Sequence, residues 1–207
     1  MGSSDAPILL TTARLHMALL PPGAAERVLA YHEANREHLG AVAPERPTGF
    51  FNLAWWRVQL ARDAEEQRAG QSLRLLLLPR DVPLAVAPVI GNAHLTDIRL
   101  GPFQACELGF GLDHRYQGQG LMSEALSALC AHALGPMGLH RIQARHLPDN
   151  RRSAAVLRRL GFVTEGRARE SVLIDGAWRD LILTALLASP RPSGRRKLRA
   201  RTGKGVA

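Results

Sequence analysis

Several residue types are scarce in this 207-residue sequence, and each scarcity narrows the class of protein. There are two cysteines, Cys106 and Cys130, and neither stands at the spacing of a zinc ligand set. Aromatic residues make up only 5% of the chain, although 46% of it is hydrophobic. This composition excludes disulfide-scaffold, collagen-like and wholly disordered proteins. It predicts a globular unit that needs no metal or disulfide to hold its core.

Long apolar runs and targeting features are also missing. The most hydrophobic stretch, residues 73–90, is interrupted by charged residues and prolines, whereas a membrane span needs about 20 apolar residues. The N-terminus has no basic segment before an apolar run, and Ala6 stands where a myristoylation motif has Ser or Thr. We therefore expect a cytoplasmic protein whose cysteines stay reduced.

Positive charge is concentrated at the C-terminal end. The formal net charge is +9, and residues 189–207 hold seven Lys or Arg and no acidic residue, which leaves +2 for the rest of the chain. Proline, glycine and serine are frequent in the same segment, a composition that does not fold. We predict a folded domain over residues 1–188 and a disordered basic tail over 189–207. This tail either attracts RNA without sequence preference or has no role.

Hydrophobic periodicity predicts a mixture of helices and strands. The helix predicted over residues 53–69 is expected to bury Trp55, Val58 and Leu60 on one face. Three strands in the middle of the chain are expected to form an antiparallel meander, and Asp175-Gly176 is typical of a type I′ hairpin turn. The predicted strands cover residues 8–20, 73–78, 89–95, 106–112, 141–146, 163–174 and 178–187, and the predicted helices cover 24–38, 53–69, 121–134 and 151–160.

A glycine-containing loop has the composition of an anion-binding site. The segment Arg115-Tyr116-Gln117-Gly118-Gln119-Gly120 lies between a predicted strand and the helix that begins at Leu121. Two glycines allow a sharp bend with exposed N–H groups, and a helix N-terminus attracts phosphate. The positive charge of Arg115 adds to this attraction. The alternative is a tight turn that binds nothing.

The combination of this loop with later motifs resembles the GCN5-related N-acetyltransferase (GNAT) superfamily. The loop contains Arg115-x-x-Gly118-x-Gly120, the next helix opens with Asn150-x-x-Ser153, and Leu160-Gly161-Phe162 closes it. The segment 166–180 and the early segment 35–39 with the downstream Pro44 resemble the ribosomal-protein alanine N-acetyltransferase branch, of the RimJ type. The resemblance covers about residues 8–187.

The resemblance implies a fold and a cosubstrate. The fold is α+β, with a mixed, largely antiparallel GNAT-type sheet of about six to seven strands flanked by helices. The cosubstrate is acetyl-CoA, with its pyrophosphate in the glycine loop and its pantetheine arm beside the strand 106–112, and no metal is implied. A main-chain N–H of residues 108–110 would polarise the thioester carbonyl. The implied acetyl-CoA contacts are Leu108, Gly109, Phe110, Arg115, Gln117, Gly118, Gln119, Gly120, Asn150 and Ser153.

Several of these residues have a plainer alternative role. Asn150 also suits the N-cap of a helix. Glu107 is the first choice for the group that takes the amine proton, and Glu170 is the second; either could instead be a solvent-facing or salt-bridged charge. Relatives place a tyrosine seven residues after the asparagine, but this chain has Leu157, so Ser153 or water is left to protonate the departing thiolate.

The resemblance also implies that residues in the helical first third of the chain contact the acceptor of the acetyl group. Asn35, Phe51 and Trp55 are the expected acceptor contacts, with burial in the core as the alternative. An α-amine has a pKa of about 7.7 to 8.0 and a lysine about 10.4, so the α-amine is about 3 kcal/mol easier to deprotonate. The expected acceptor is therefore a protein N-terminus.

The predicted function is acetyl transfer to the N-terminal α-amine of a ribosomal protein that begins with alanine. The expected partners are acetyl-CoA, that N-terminus and, through the basic tail, the ribosome or its RNA; no membrane is expected. Two alternatives stay open. One is an acetyltransferase for a small amine such as an antibiotic, a polyamine or an amino acid, and the other is a non-catalytic ribosome-assembly factor.

Overall fold

The computed structural model describes residues 9–188, so the predicted basic tail lies outside the described residues. The strands are β1 (Leu9–Thr11), β2 (Leu15–Ala18), β3 (Leu73–Pro79), β4 (Gly91–Arg99), β5 (Ala105–Leu112), β6 (Arg141–His146), β7 (Val163–Ile174) and β8 (Ala177–Leu187). The α-helices are α1 (Ala25–Ala34), α2 (Arg36–Gly40), α3 (Leu53–Arg68), α4 (Leu121–Leu134) and α5 (Arg151–Arg159).

All eight strands of the described residues form one sheet, in the order β1-β2-β3-β4-β5-β6-β8-β7. Neighbouring strands are antiparallel except β5 and β6, which are parallel. The predicted mixed, largely antiparallel α+β fold is therefore confirmed. The sheet has eight strands because the segment predicted as one strand over 8–20 turns back on itself and forms both β1 and β2.

The two faces of the sheet carry separate hydrophobic cores, since side chains alternate along each strand. On one face, Leu108 of β5 packs in a cluster with Leu126 of α4. On the other, Leu76 of β3 packs in a cluster with Val28 of α1 and Leu60 of α3. The layer that contains α4 thus covers one face of the sheet, and the layer of α1 and α3 covers the other face at β2 and β3.

The sheet opens in its interior, between β5 and β6. Pairing between these strands is limited to Ala105↔Arg141 through Leu108↔Ala144. Beyond that point β5 continues to pair with β4 as far as Leu112, and β6 continues to pair with β8 as far as His146. The strands therefore diverge, and residues 109–112 have no strand partner on the β6 side.

Two helix predictions need correction. The predicted helix over 24–38 is interrupted at Asn35, whose φ of −116° is not helical, because its buried side chain bonds to other parts of the fold. In α3 the buried residues are Trp56, Leu60 and Asp63, whereas Val58 is 70% exposed. The expected burial of Val58 was therefore wrong. The buried face of α3 contains residues 56, 60 and 63, so it is rotated about the helix axis away from Val58.

The predicted hairpin turn between β7 and β8 is present in the structure. Asp175 and Gly176 have φ of +47° and +70°, and Ile174 pairs with Ala177, as a type I′ turn requires.

Among residues 9–188, no helix combines the length and apolar character needed to cross a bilayer.

Candidate active site

The glycine loop lies at the N-terminus of α4, as predicted. Gly118 and Gly120 have φ of +76° and +79°, a region that favours glycine. The first N–H groups of any α-helix lack an intrahelical partner. In α4 no side chain caps them, because the N-cap residue is Gly120. Arg14 of the β1–β2 turn steadies the loop by donating to the carbonyl of Gln119 and to the carboxylate of Glu124.

Arg115 does not contribute a free charge to this loop. Its guanidinium donates two hydrogen bonds to the buried carboxylate of Asp113, from Nε to Oδ1 at 3.0 Å and from Nη2 to Oδ2 at 2.7 Å. These hydrogen bonds hold the pKa of Asp113 well below its usual range. Arg115 is therefore ion-paired and orders the turn that precedes the loop, and its contact with phosphate stays a prediction.

A groove of about 980 Å³ runs from the glycine loop along α5. Its lining includes Gln117, Gly118 and Gly120 of the loop, and also two arginines that the motifs did not identify, Arg152 and Arg159. Their seven-residue spacing on one short helix was the sequence indication that they share a face. Arg152 donates to the side chain of Gln117, and Arg159 donates to the hydroxyl of Ser123. These guanidiniums add positive charge to the wall of the groove.

The start of α5 also lines this groove. Asn150 is the N-cap residue, and its side-chain oxygen accepts the N–H of Ser153 at 3.0 Å. Both residues line the groove, so the cap and a ligand contact are compatible. Leu157, which stands where the family resemblance implies a tyrosine, is buried in the core and offers no proton. Ser153 is therefore the hydroxyl of this helix that faces the groove.

The diverging half of β5 forms another wall. Phe110, Gly111 and Leu112 line the groove, whereas Leu108 and Gly109 do not. Leu108 still pairs with β6, so the first residues without a partner are 109–112. Gly109 cannot be exchanged for a larger residue without movement, because a Cβ there would overlap the imidazole of His94 on β4. The main chain is thus the part of β5 that a ligand can reach.

The two predicted proton acceptors lie in different places. Glu107 is on β5, does not line the groove, and accepts a hydrogen bond from Arg145 at 2.7 Å. Glu170 lies in a bulge of β7 with φ of +47°, is exposed, and donates its backbone N–H to Asp180. The structure therefore brings Glu107 to the opened strand and leaves Glu170 on the surface of the hairpin.

A second cavity, of about 460 Å³, lies on the other side of α2. Asn35 and Phe51, both predicted acceptor contacts, line it. Asn35 also ties this wall to the glycine loop, because its Oδ1 accepts the backbone N–H of His114 at 3.1 Å. Leu39 of α2 lines both this cavity and the groove, so it lies between the two spaces. We name them the acceptor cavity and the donor groove.

Trp55, the third predicted acceptor contact, is not part of the lining. Its ring packs 5.1 Å from Phe50 and 4.9 Å from Trp56. It belongs instead to an aromatic cluster below the cavity, where His32 stacks on Trp56. The structure thus gives Trp55 a packing role, and its contact with substrate stays a prediction.

Neither cysteine has the environment of a nucleophile. Cys106 and Cys130 are both buried, and burial raises the pKa of each thiol to about 12. A thiol with that pKa stays protonated near neutral pH, so an acyl-enzyme route through either cysteine is disfavoured. Within residues 9–188, no three His, Cys, Asp or Glu side chains are grouped as a metal site.

Comparisons with known proteins agree with this geometry. The family described as acetyltransferase (GNAT) domain matches residues 52–163. The chain is 36% identical over 188 residues to the [ribosomal protein uS5]-alanine N-acetyltransferase of Escherichia coli K12, covering 91% of this chain and 95% of that protein.

Solved structures give the same picture for the fold. The ribosomal-protein-S5-alanine acetyltransferase of Vibrio fischeri superposes with a TM-score of 0.82 at 30% identity, covering 87% of this chain and 97% of that one. Mycobacterium smegmatis RimJ, solved in complex with CoA-disulfide, superposes with a TM-score of 0.78 at 24% identity, covering 88% of this chain and 86% of that one. The second likeness shows a shared fold alone.

Proposed function

The chain belongs to the GNAT acetyltransferase family, and from this premise we propose that it acetylates the N-terminal α-amine of a ribosomal protein that begins with alanine. The observation that carries the proposal is the placement of the donor groove and the acceptor cavity on either side of Leu39. The names of the Escherichia coli and Vibrio fischeri relatives support the choice of acceptor.

The donor groove fits acetyl-CoA by its chemistry. Unpartnered N–H groups at the start of α4 suit the pyrophosphate, and Arg152 and Arg159 add positive charge along the same wall. The unpaired edge at residues 109–112 can hydrogen-bond an extended amide-containing chain, as the pantetheine arm is. Acetyl-CoA supplies the activated acetyl group, and every other contribution below comes from residues of this chain.

The acceptor cavity fits a peptide end better than a lysine side chain. The neutral amine is the reactive form, and an α-amine reaches it with about 3 kcal/mol less free energy than a lysine. The described cavities contain no cluster of carboxylates that could offset that difference. The alternative of a small-amine acceptor receives no support from the relatives compared above, which are named as protein acetyltransferases.

The reaction is a direct transfer. The acceptor nitrogen bonds to the acetyl carbon, the carbon–sulfur bond breaks, the amine loses one proton, and the departing sulfur gains one. Glu107 is the proposed acceptor of the amine proton, directly or through water, because it lies on β5 two residues before the opened segment. Ser153 is the proposed proton donor to sulfur, because it lines the donor groove.

The deciding experiment uses the whole protein with acetyl-CoA. Unacetylated ribosomal proteins are incubated with it, and intact-mass and N-terminal peptide spectrometry identify which chains gain an acetyl group. We expect one alanine-starting ribosomal protein to be acetylated at its α-amine. Acetylation of small amines alone would refute the proposed acceptor, and a lack of acetyl-CoA binding in calorimetry would refute the proposed donor site.

A further inference from the structure

Two arginines of the acceptor cavity have no acidic partner. Arg36 and Arg46 both line it. Among residues 9–188, no carboxylate oxygen lies within 4.0 Å of a nitrogen of either side chain. Arg115, in contrast, is fully paired with Asp113. The acceptor cavity therefore holds positive charge that the described fold does not neutralise by ion pairing.

Aromatic rings hold both guanidiniums in position. The Cζ of Arg36 is 3.8 Å from the centroid of the Phe51 ring, and the Cζ of Arg46 is 4.7 Å from that of Phe50. The two ring centroids are 5.1 Å apart. Stacking on a ring face stabilises a guanidinium and fixes its plane while leaving its N–H groups free to donate. The two cations are thus preorganised on adjacent rings.

Arg46 is the more buried of the two. Burial lowers its pKa, and its charge adds to the effect of burial in lowering the pKa of His32. A guanidinium remains charged under such conditions. Because the Arg46 side chain is partly buried, its charge is only partly hydrated. The cavity's own carboxylates, Glu45 and Asp175, are exposed and lie beyond ion-pair distance. An anion that entered would thus meet an oriented and weakly hydrated donor.

We propose that Arg46, assisted by Arg36, selects acceptor chains with an acidic side chain among the residues that follow the N-terminal amine. A guanidinium matches a carboxylate through two parallel hydrogen bonds. The inference rests on the proposed function, because it specifies the acceptor of that reaction. It assigns the preference to residues of the cavity wall and not to the acetyl-transfer groups.

The test uses alanine-starting ten-residue peptides in which one glutamate is moved through positions 2 to 6. Each is compared with the peptide that has glutamine at the same position. We expect kcat/KM to be about tenfold higher for glutamate at one or more positions, which corresponds to about 1.4 kcal/mol. The difference should lie mainly in KM and should shrink as salt is raised.

Three variants of Arg46 connect that preference to the guanidinium. Arg46→Gln should bring the glutamate-to-glutamine ratio to about one, Arg46→Lys should retain part of it, and Arg46→Glu should favour lysine at the same position. Arg57→Gln is the matched control, because Arg57 is exposed on α3 and lines neither cavity. It should keep the tenfold ratio.

The outcomes separate this inference from the proposed function. Equal kcat/KM for glutamate and glutamine at every position, measured on the unchanged protein, would overturn the inference while leaving N-terminal acetylation intact. A full ratio retained by Arg46→Gln would also overturn it. Failure to acetylate any of the peptides, with acetyl-CoA bound, would count against the acceptor class itself. Calorimetry with acetyl-CoA reports whether each variant is folded.

Discussion

His32 makes the folded state sensitive to acid. It is 5% exposed, and its ring stacks on Trp56 with centroids 4.7 Å apart. Burial lowers the pKa of His32 from 6.5 to about 3, and the charge of Arg46 adds to the effect. The unfolded chain therefore binds a proton at this residue between pH 6.5 and 3 that the folded chain does not. Stability is complete above pH 6.5 and falls as the pH drops.

The size of this loss follows from the two pKa values. At pH 5 the unfolded histidine is almost fully protonated and the folded one is neutral, which costs about 2 kcal/mol of unfolding free energy relative to pH 8. Urea denaturation at pH 8, 7, 6 and 5 measures it. The reference is His32→Phe, which keeps a ring in the aromatic cluster and cannot titrate.

Comparison with that reference isolates the one residue, because the other titrating groups are shared. The unchanged protein should lose about 2 kcal/mol more than His32→Phe between pH 8 and pH 5. Equal losses in the two proteins would show that His32 is protonated in the folded state and would refute the reasoning.

Two further predictions concern the reaction and the donor. Glu107→Gln should lower kcat/KM at least about 100-fold, because Glu107 is the proposed acceptor of the amine proton. The control is Glu165→Gln, which removes the exposed ion pair with Arg141; it should cost at most about 1 kcal/mol of stability and leave the rate nearly unchanged. Small and equal effects of the two variants would contradict the assignment. Gly118→Ala should weaken acetyl-CoA binding about tenfold in calorimetry, because alanine at φ +76° is about 1 to 2 kcal/mol less favourable than glycine and would shift the backbone N–H groups proposed to hold the pyrophosphate. The control is Gly138→Ala, which shares a positive φ and open surroundings but lies outside the groove; equal binding by both variants would remove the loop from the donor site.

The sequence predicted the second half of the fold closely. The strand over 141–146 and the helix that begins at Leu121 were correct to the residue, because their apolar periodicity reflects burial against one continuous core. The β1–β2 turn was missed because its residues, Thr12 to Arg14, include neither glycine nor proline. Interactions with Glu124, more than 100 residues away, hold that turn, and no local pattern contains them.

The candidate site shows the same division. Gly118, Gly120 and Asn150 could be identified from motifs, because their roles depend on the local backbone. The pairing of Arg115 with Asp113 and the isolation of Arg46 depend on which side chains meet in three dimensions. Composition and spacing report the number of charges in a segment, but they do not report which charges remain unneutralised.

The divergence of β5 from β6 has a consequence for how such a protein changes over evolutionary time. The gap is bordered by peptide groups, and every residue except proline brings the same peptide group to it. Amino-acid replacements along this stretch therefore leave the hydrogen-bonding pattern in place as long as the strands keep their paths. This is consistent with a chain that shares 30% of its residues with the Vibrio fischeri enzyme and still superposes with a TM-score of 0.82. If this edge holds the donor as proposed, the contact depends on the path of the chain more than on the identity of its side chains.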